Sequence, residues 1–221
     1  MGLSHSPKIV TNGLVLALDA ANNKSYPRSG TTWTDLSGNN NTGTLTNGPT
    51  FSGANGGSIV FDGVDDYVIT SAIVEAATNS NLQTICGWMI GDGSLFGSNS
   101  NSTGQFHLKV SLISNVLTYR VSYYGGTGVE GDDTVSVTSR SANNIVIVKT
   151  AAEKYDVYFN ASKVLSQVTK KANVSVNFYP GYYYGGSWNG GTVSNYSIYN
   201  RALTASEVLQ NYNATKSRFG L

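Results

Sequence analysis

The stretch Phe61-Asp62-Gly63-Val64-Asp65-Asp66-Tyr67-Val68 puts three aspartates within five residues and flanks them with apolar side chains. Carboxylates this dense fit a catalytic pair, a calcium site, or a turn between two strands. Asp62-Gly63 favours the turn. Gly takes the positive φ that a tight connection needs, and the Asp carboxylate can accept hydrogen bonds from the turning backbone. Ser58 to Phe61 and Tyr67 to Ile69 then read as the flanking strands. Side chains alternate faces along a strand, so Asp65 and Asp66 are expected to point apart and not to act together.

Outward from this turn the chain keeps the same character. Leu14 to Leu18 is a short apolar run, as expected of a strand covered on both faces. Further strands are expected over Gln83 to Ile90, Phe106 to Ser111, Val116 to Tyr123, Thr134 to Thr138, Asn144 to Lys149 and Tyr155 to Phe159. Val174 to Phe178, Tyr182 to Gly185 and Val193 to Tyr199 complete the set. Short strands separated by Gly/Asn/Ser/Asp turns are the spacing of a sandwich or barrel. One helix is expected, after Leu203. Thr204 can cap it while Glu207 reaches back, and Leu203 and Val208 occupy the staple positions. A helix this short needs the sheet beneath it. Residues 97–104, GSNSNSTG, read as a surface loop, and residues 1–12 as an arm outside a single domain over 13–221. The tail from Lys216 to Leu221 is free to pack or to reach a partner.

The composition narrows the function classes. The chain has 221 residues and a formal charge of +1, and charged residues make up 12% of it, about half the usual share. No basic run or stripe marks a nucleic-acid partner. Nothing approaches a membrane span, and MGLSHSPKIVTN lacks the apolar core of a secretory signal. The first six residues match the loose myristoylation consensus, without the basic cluster that firm anchoring needs. One cysteine, Cys86, excludes an internal disulfide and reads as a small buried side chain.

At this point a resemblance is visible. FDGVDDYV is similar to a segment of laminin-G-like domains of the concanavalin A-like lectin/glucanase superfamily. GLVLALDAANNKSYPRSGTTWTDLSGNNNTGTLTNGPTF, residues 13–51, resembles the opening of such domains in bacteriophage and bacterial proteins. ICGWMI resembles the Trp-bearing strand that follows, and YDVYFNASK a hairpin where the family usually has Asn-Gly. The ending, GGSWNGGTVSNYSIYNRALTASEVLQNYNATKSRFGL, resembles the C-terminus of domains in phage virion proteins. The resemblance covers roughly half the chain from end to end, and little of residues 92–150. It implies an all-β fold: a concanavalin A-like jelly-roll sandwich of two antiparallel sheets with one short C-terminal helix. Two departures stand out. Ala161 occupies the turn position that favours Gly, so strain or a longer loop is expected there. Val193-Ser194-Asn195 lacks the acidic residue of many relatives, which counts against their kind of calcium site.

Retaining glycosidases need two carboxyl groups about 5–5.5 Å apart, and glucanases of this fold use a Glu-x-Asp-x-Glu strand that is absent here. The nearest acidic group is Glu130, Asp132 and Asp133, which reads as a solvated loop or, alternatively, a loop metal site for calcium. His5 and His107 belong to no motif, and neither a zinc spacing nor a phosphate loop occurs. Aromatic faces beside amide-rich turns can hold sugars. That makes Tyr124, Tyr183, Trp188 and Asn189 candidate carbohydrate contacts; the alternative is that such tyrosines line and cover the sheet. Trp33 and Trp88 are expected in the core.

The expected protein is a non-enzymatic bacteriophage virion component, a capsid decoration, knob or tail-fibre part. Its expected partners are other virion chains, a second copy of itself, and a host-surface glycan. The alternative is a bacterial surface carbohydrate-binding module or a relict glycosidase.

Overall fold

The computed structural model describes residues 7–74, 80–91, 93–98, 105–124, 133–138, 141–169, 176–181 and 190–221. Its strands are β1 (Leu14–Asp19), β2 (Thr32–Trp33), β3 (Gly43–Thr46), β4 (Thr50–Ser52), β5 (Ser58–Phe61), β6 (Tyr67–Ile69), β7 (Ile73–Val74) and β8 (Gln83–Ile90). They continue as β9 (Gly93–Ser98), β10 (Gln105–Ile113), β11 (Val116–Tyr124), β12 (Asp133–Ser136), β13 (Ala142–Ala151) and β14 (Lys154–Phe159). β15 (Ser162–Thr169), β16 (Val176–Tyr179), β17 (Gly191–Tyr199) and the helix α1 (Ala205–Thr215) complete the chain.

All strand pairs are antiparallel, and they build two main sheets. The larger runs β15-β14-β13-β8-β17-β5-β4, with β1 also paired to β17. The smaller runs β12-β11-β10-β9-β16-β7. The molecule is thus an all-β sandwich with one short C-terminal helix, as expected. A third, three-stranded sheet of β2-β3-β6 is an addition to the expected two. Of its strands β6 was expected, whereas β2 and β3 lie in segments rich in Thr and Gly, where no apolar alternation marks a strand. The same poverty of pattern hid β4, β7, β9 and β15. Gly97 and Ser98, expected in a loop, pair with Tyr179 and Phe178 at the end of β9.

The period of two decides which side chain goes where. Ile85 and Met89 of β8 and Ile145 and Ile147 of β13 face the core between the sheets, with Leu16, Trp33, Phe178, Tyr196 and Ile198. Their neighbours Cys86, Val146 and Val148 face outward, yet they are buried too, against Tyr199, Leu203 and Val208. The large sheet is therefore covered on both faces, which explains why β8 and β13 read as continuous apolar runs.

The outer cover comes from both ends of the chain. α1 begins with the expected capping box: Thr204 Oγ1 accepts from Glu207 N, and Thr204 N donates to Glu207 Oε2. Trp88 stacks with Tyr212 of α1 and with Phe219 of the following 3-10 turn, ring centroids 5.5 and 4.3 Å away. Arg218 adds a two-pronged ion pair to Asp19 at 2.6 and 2.9 Å. The tail accordingly packs. Val10, within the expected arm, also contributes to this cover. Val10 is buried, its N–H donates to Asn211 Oδ1, and its carbonyl accepts from Tyr199 Oη. Residues 1–6 lie outside the described residues.

Candidate functional site

The opening turn is the first place where side chains gather. Gly63 takes φ +79°, as a tight connection requires. Asp62 Oδ1 accepts from Val64 N at 2.7 Å, and Asp66 Oδ2 reaches back to accept from Asp62 N at 3.0 Å. The reading as a turn holds. The expectation that Asp65 and Asp66 diverge does not. The backbone here is wrapped and not pleated, so one carboxylate oxygen from each of Asp62, Asp65 and Asp66 lies within 4.8 Å of the others. Asp66 is only 4% exposed, and its Oδ1 is buried without a hydrogen-bond partner. Burial pushes its carboxyl above the ordinary range, against the hydrogen bond from Asp62 N; the charges of Asp62 and Asp65 push the same way as burial.

Two glycines clasp this turn. A Cβ on Gly181 would sit 2.7 Å from the Phe61 ring and 2.8 Å from the Asp66 carbonyl oxygen. One on Gly63 would sit 3.0 Å from Gly190 N. Gly181 and Gly190 therefore both lie against the aspartate turn.

The second place is a groove of about 660 Å³ lined in part by the residues that follow β6. Its polar wall is Asn41, Ser71, Ser80, Asn81, Gln83 and Asn200, and Val15, Ile73 and Leu82 give it apolar surface. Ile73 and Leu82 are exposed large side chains. The wall is held from behind. Asp35, itself buried, accepts from Ala17 N, Ser37 N and Asn41 N, fastening the 35–41 loop to β1. Asn41 Nδ2 donates to the Val15 carbonyl at 2.7 Å, and its Oδ1 accepts from Ser71 Oγ at 2.8 Å. Gln83 Nε2 donates to the Ile73 carbonyl at 2.6 Å.

Arg201 closes the groove, but its charge is spent. Its guanidinium pairs with both oxygens of Glu207 at 2.6 and 2.9 Å, and its Nε donates to the Asn12 carbonyl. That pairing, with the Thr204 cap, holds the Glu207 carboxyl down to about 2. The groove offers amides and hydroxyls, and no carboxylate lines it among the described residues.

The residues singled out from sequence fare unevenly. Tyr183, Trp188 and Asn189 lie outside the described residues, as do Glu130 and Asp132. Tyr124 ends β11 opposite Gln105. Asp133 begins β12 opposite Tyr119, and so belongs to a strand rather than a loop. Trp33 and Trp88 are core, and Cys86 is buried, with its thiol pushed up to about 12 by that burial. The groove escaped sequence reading because Asn41, Ser71, Asn81 and Asn200 come from four separate turns. The only local signal was their common amide and hydroxyl character.

The chain matches no protein-family model and no curated protein. Among solved structures it is similar to Trypanosoma rangeli sialidase, with a TM-score of 0.64 and 18% identity over 93% of this chain and 33% of that one. It is also similar to the binding domain of Paraclostridial Mosquitocidal Protein 1, with a TM-score of 0.65 and 18% identity over 92% of this chain and 52% of that one. The binding domain of Botulinum neurotoxin DC, solved with rat synaptotagmin II, gives a TM-score of 0.65 and 15% identity over 93% and 52%. The chain thus spans about a third of the sialidase and about half of the two toxin domains. At these identities the likeness is one of fold.

Proposed function

We propose that this chain is a non-catalytic recognition domain that holds a neutral, hydroxyl-rich glycan in the groove between Asn41 and Arg201. The groove carries the reading. Its volume falls in the range of small-ligand sites, roughly 300–1,000 Å³, and the lone pairs left on Asn41 Oδ1 and Ser71 Oγ, with the Asn200 amide, can meet sugar hydroxyls. Val15, Ile73 and Leu82 supply the apolar surface against which the carbon face of a ring can lie. Arg201 is committed to Glu207, so an acidic sugar finds no free cation at this wall. A glycosidase needs two acids beside its bond, and the groove's described lining has none. The aspartate turn does not replace them. Its three acids sit on one five-residue bend and cannot flank a sugar from two sides. Two of the similar structures are binding domains of larger proteins, which supports a recognition role.

A panel of neutral and sialylated glycans tests the reading. The chain is expected to bind neutral members, and N200A to lose about fivefold to tenfold in affinity, the scale of one hydrogen bond. Binding confined to sialylated members, or none at all, would overturn it. Tyr124, Tyr183, Trp188 and Asn189 are proposed as additional contacts, with W188A as their test.

The domain's setting is proposed to be a bacteriophage particle, in contact with other virion chains. The support is the likeness of its C-terminal sequence to phage virion domains. Mass spectrometry of purified particles should find the chain; a high copy number points to the shell and a low one to the tail. Its absence from particles would favour a bacterial surface module instead.

A further inference from the structure

We propose that the Asp62–Asp66 turn is a calcium site, taking one oxygen from each of Asp62, Asp65 and Asp66. Two observations carry this, and Asp66 is common to both. The first is spacing: the three oxygens lie within 4.8 Å of one another. Calcium binds oxygens at about 2.3–2.6 Å, so ligands on opposite sides of the ion can stand roughly 5 Å apart. The second is the orphaned oxygen. Asp66 is almost wholly buried, and its Oδ1 has no donor. Burying a carboxylate oxygen without a partner is costly, and native structures rarely tolerate it.

A lone water could supply a donor to Oδ1 but would leave three carboxylates facing one another. A divalent cation answers both needs. The donor set is all oxygen, with neither imidazole nor thiolate, which selects a hard cation. The oxygens come from an irregular bend, which suits calcium's flexible coordination of six to eight ligands better than the strict octahedron of magnesium. Backbone carbonyls and water would complete the shell. The site is distinct from the groove and does not depend on what the groove holds. Its position gives it a consequence, because Gly181 and Gly190 rest on the same turn. A bound ion would stiffen the base from which the tyrosine-rich segment departs.

The test is calorimetric titration of the full chain, stripped with chelator, with calcium chloride alone. The expected dissociation constant is about 10⁻⁴–10⁻³ M, the range of extracellular calcium modules, with a rise in melting temperature at saturating ion. Magnesium at equal concentration should bind more weakly. D65N is the decisive variant, because the Asp65 carboxylate makes none of the turn's hydrogen bonds. It should melt like the parent in chelator and lose calcium binding at least tenfold. D62N keeps an oxygen for the backbone and should behave likewise, so the test survives if D66N fails to fold. Absence of heat and of any melting shift at about 10 mM calcium, or undiminished binding in both D62N and D65N, would overturn the proposal. The orphaned oxygen would then belong to a proton or a water.

Discussion

Ala161 shows how far one residue's conformation can be foreseen. Its turn has two residues, Asn160 at φ +49° and Ala161 at φ +64°, so the alternative of a longer loop falls away and the strain remains. Asn160 is recompensed: its Oδ1 accepts from Asn144 N at 2.9 Å, and its Nδ2 donates to Asn143 Oδ1. Ala161 has only its packing near Trp88. An L-residue in the left-handed region costs about 1–2 kcal/mol, partly offset because Gly frees the unfolded chain. A161G should therefore stabilise the protein by about 0.5–1 kcal/mol, read as a higher urea midpoint at unchanged slope. Asp66 marks the opposite case. Its position in a turn was legible, but the direction of its carboxylate was not. That direction depends on a bond back to Asp62 N, which forms only once the turn has closed.

Elements with a strong period were the legible ones. β5, β6, β8 and α1 lie where apolar spacing and the capping box put them, because burial and capping act locally enough to leave a pattern. Strands made of Thr, Ser and Gly form only because a neighbour offers hydrogen bonds, and a sequence does not print its neighbours. α1 also carries a pH dependence. Glu207 is held at about 2 by Arg201 and the Thr204 cap, against an ordinary value of 4.5. A carboxyl lowered by folding contributes stability that is present above its unfolded value and is lost as pH falls through the folded one. The contribution should therefore fade between about pH 4.5 and 2. The pair is partly exposed and screened, so E207Q should cost only about 0.5–1 kcal/mol at neutral pH. Thermal melts across that window should show a shallower acid limb for E207Q than for the parent.

At the scale of the molecule, the sandwich was legible from strand count and turn spacing, whereas the groove was not, because it is assembled from loops that meet only after folding. The outer face of the large sheet depends on residues from both termini. Phe219 lies on Trp88 with ring centroids 4.3 Å apart. F219A should uncover the indole, shift its emission to the red and destabilise the fold by about 3–5 kcal/mol, the range for truncating buried aromatic side chains. An unchanged spectrum would mean that the tail does not dock there in solution.

β17 pairs with β8 along one edge and with β1 and β5 along the other. It is the last strand of the chain and sits in the middle of the larger sheet. During synthesis the strands on both sides of it must wait with bare edges until residues 191–199 have emerged. Such edges invite pairing with other nascent copies. Expression slowed or cut short before residue 191 should thus yield aggregates in place of a smaller soluble domain.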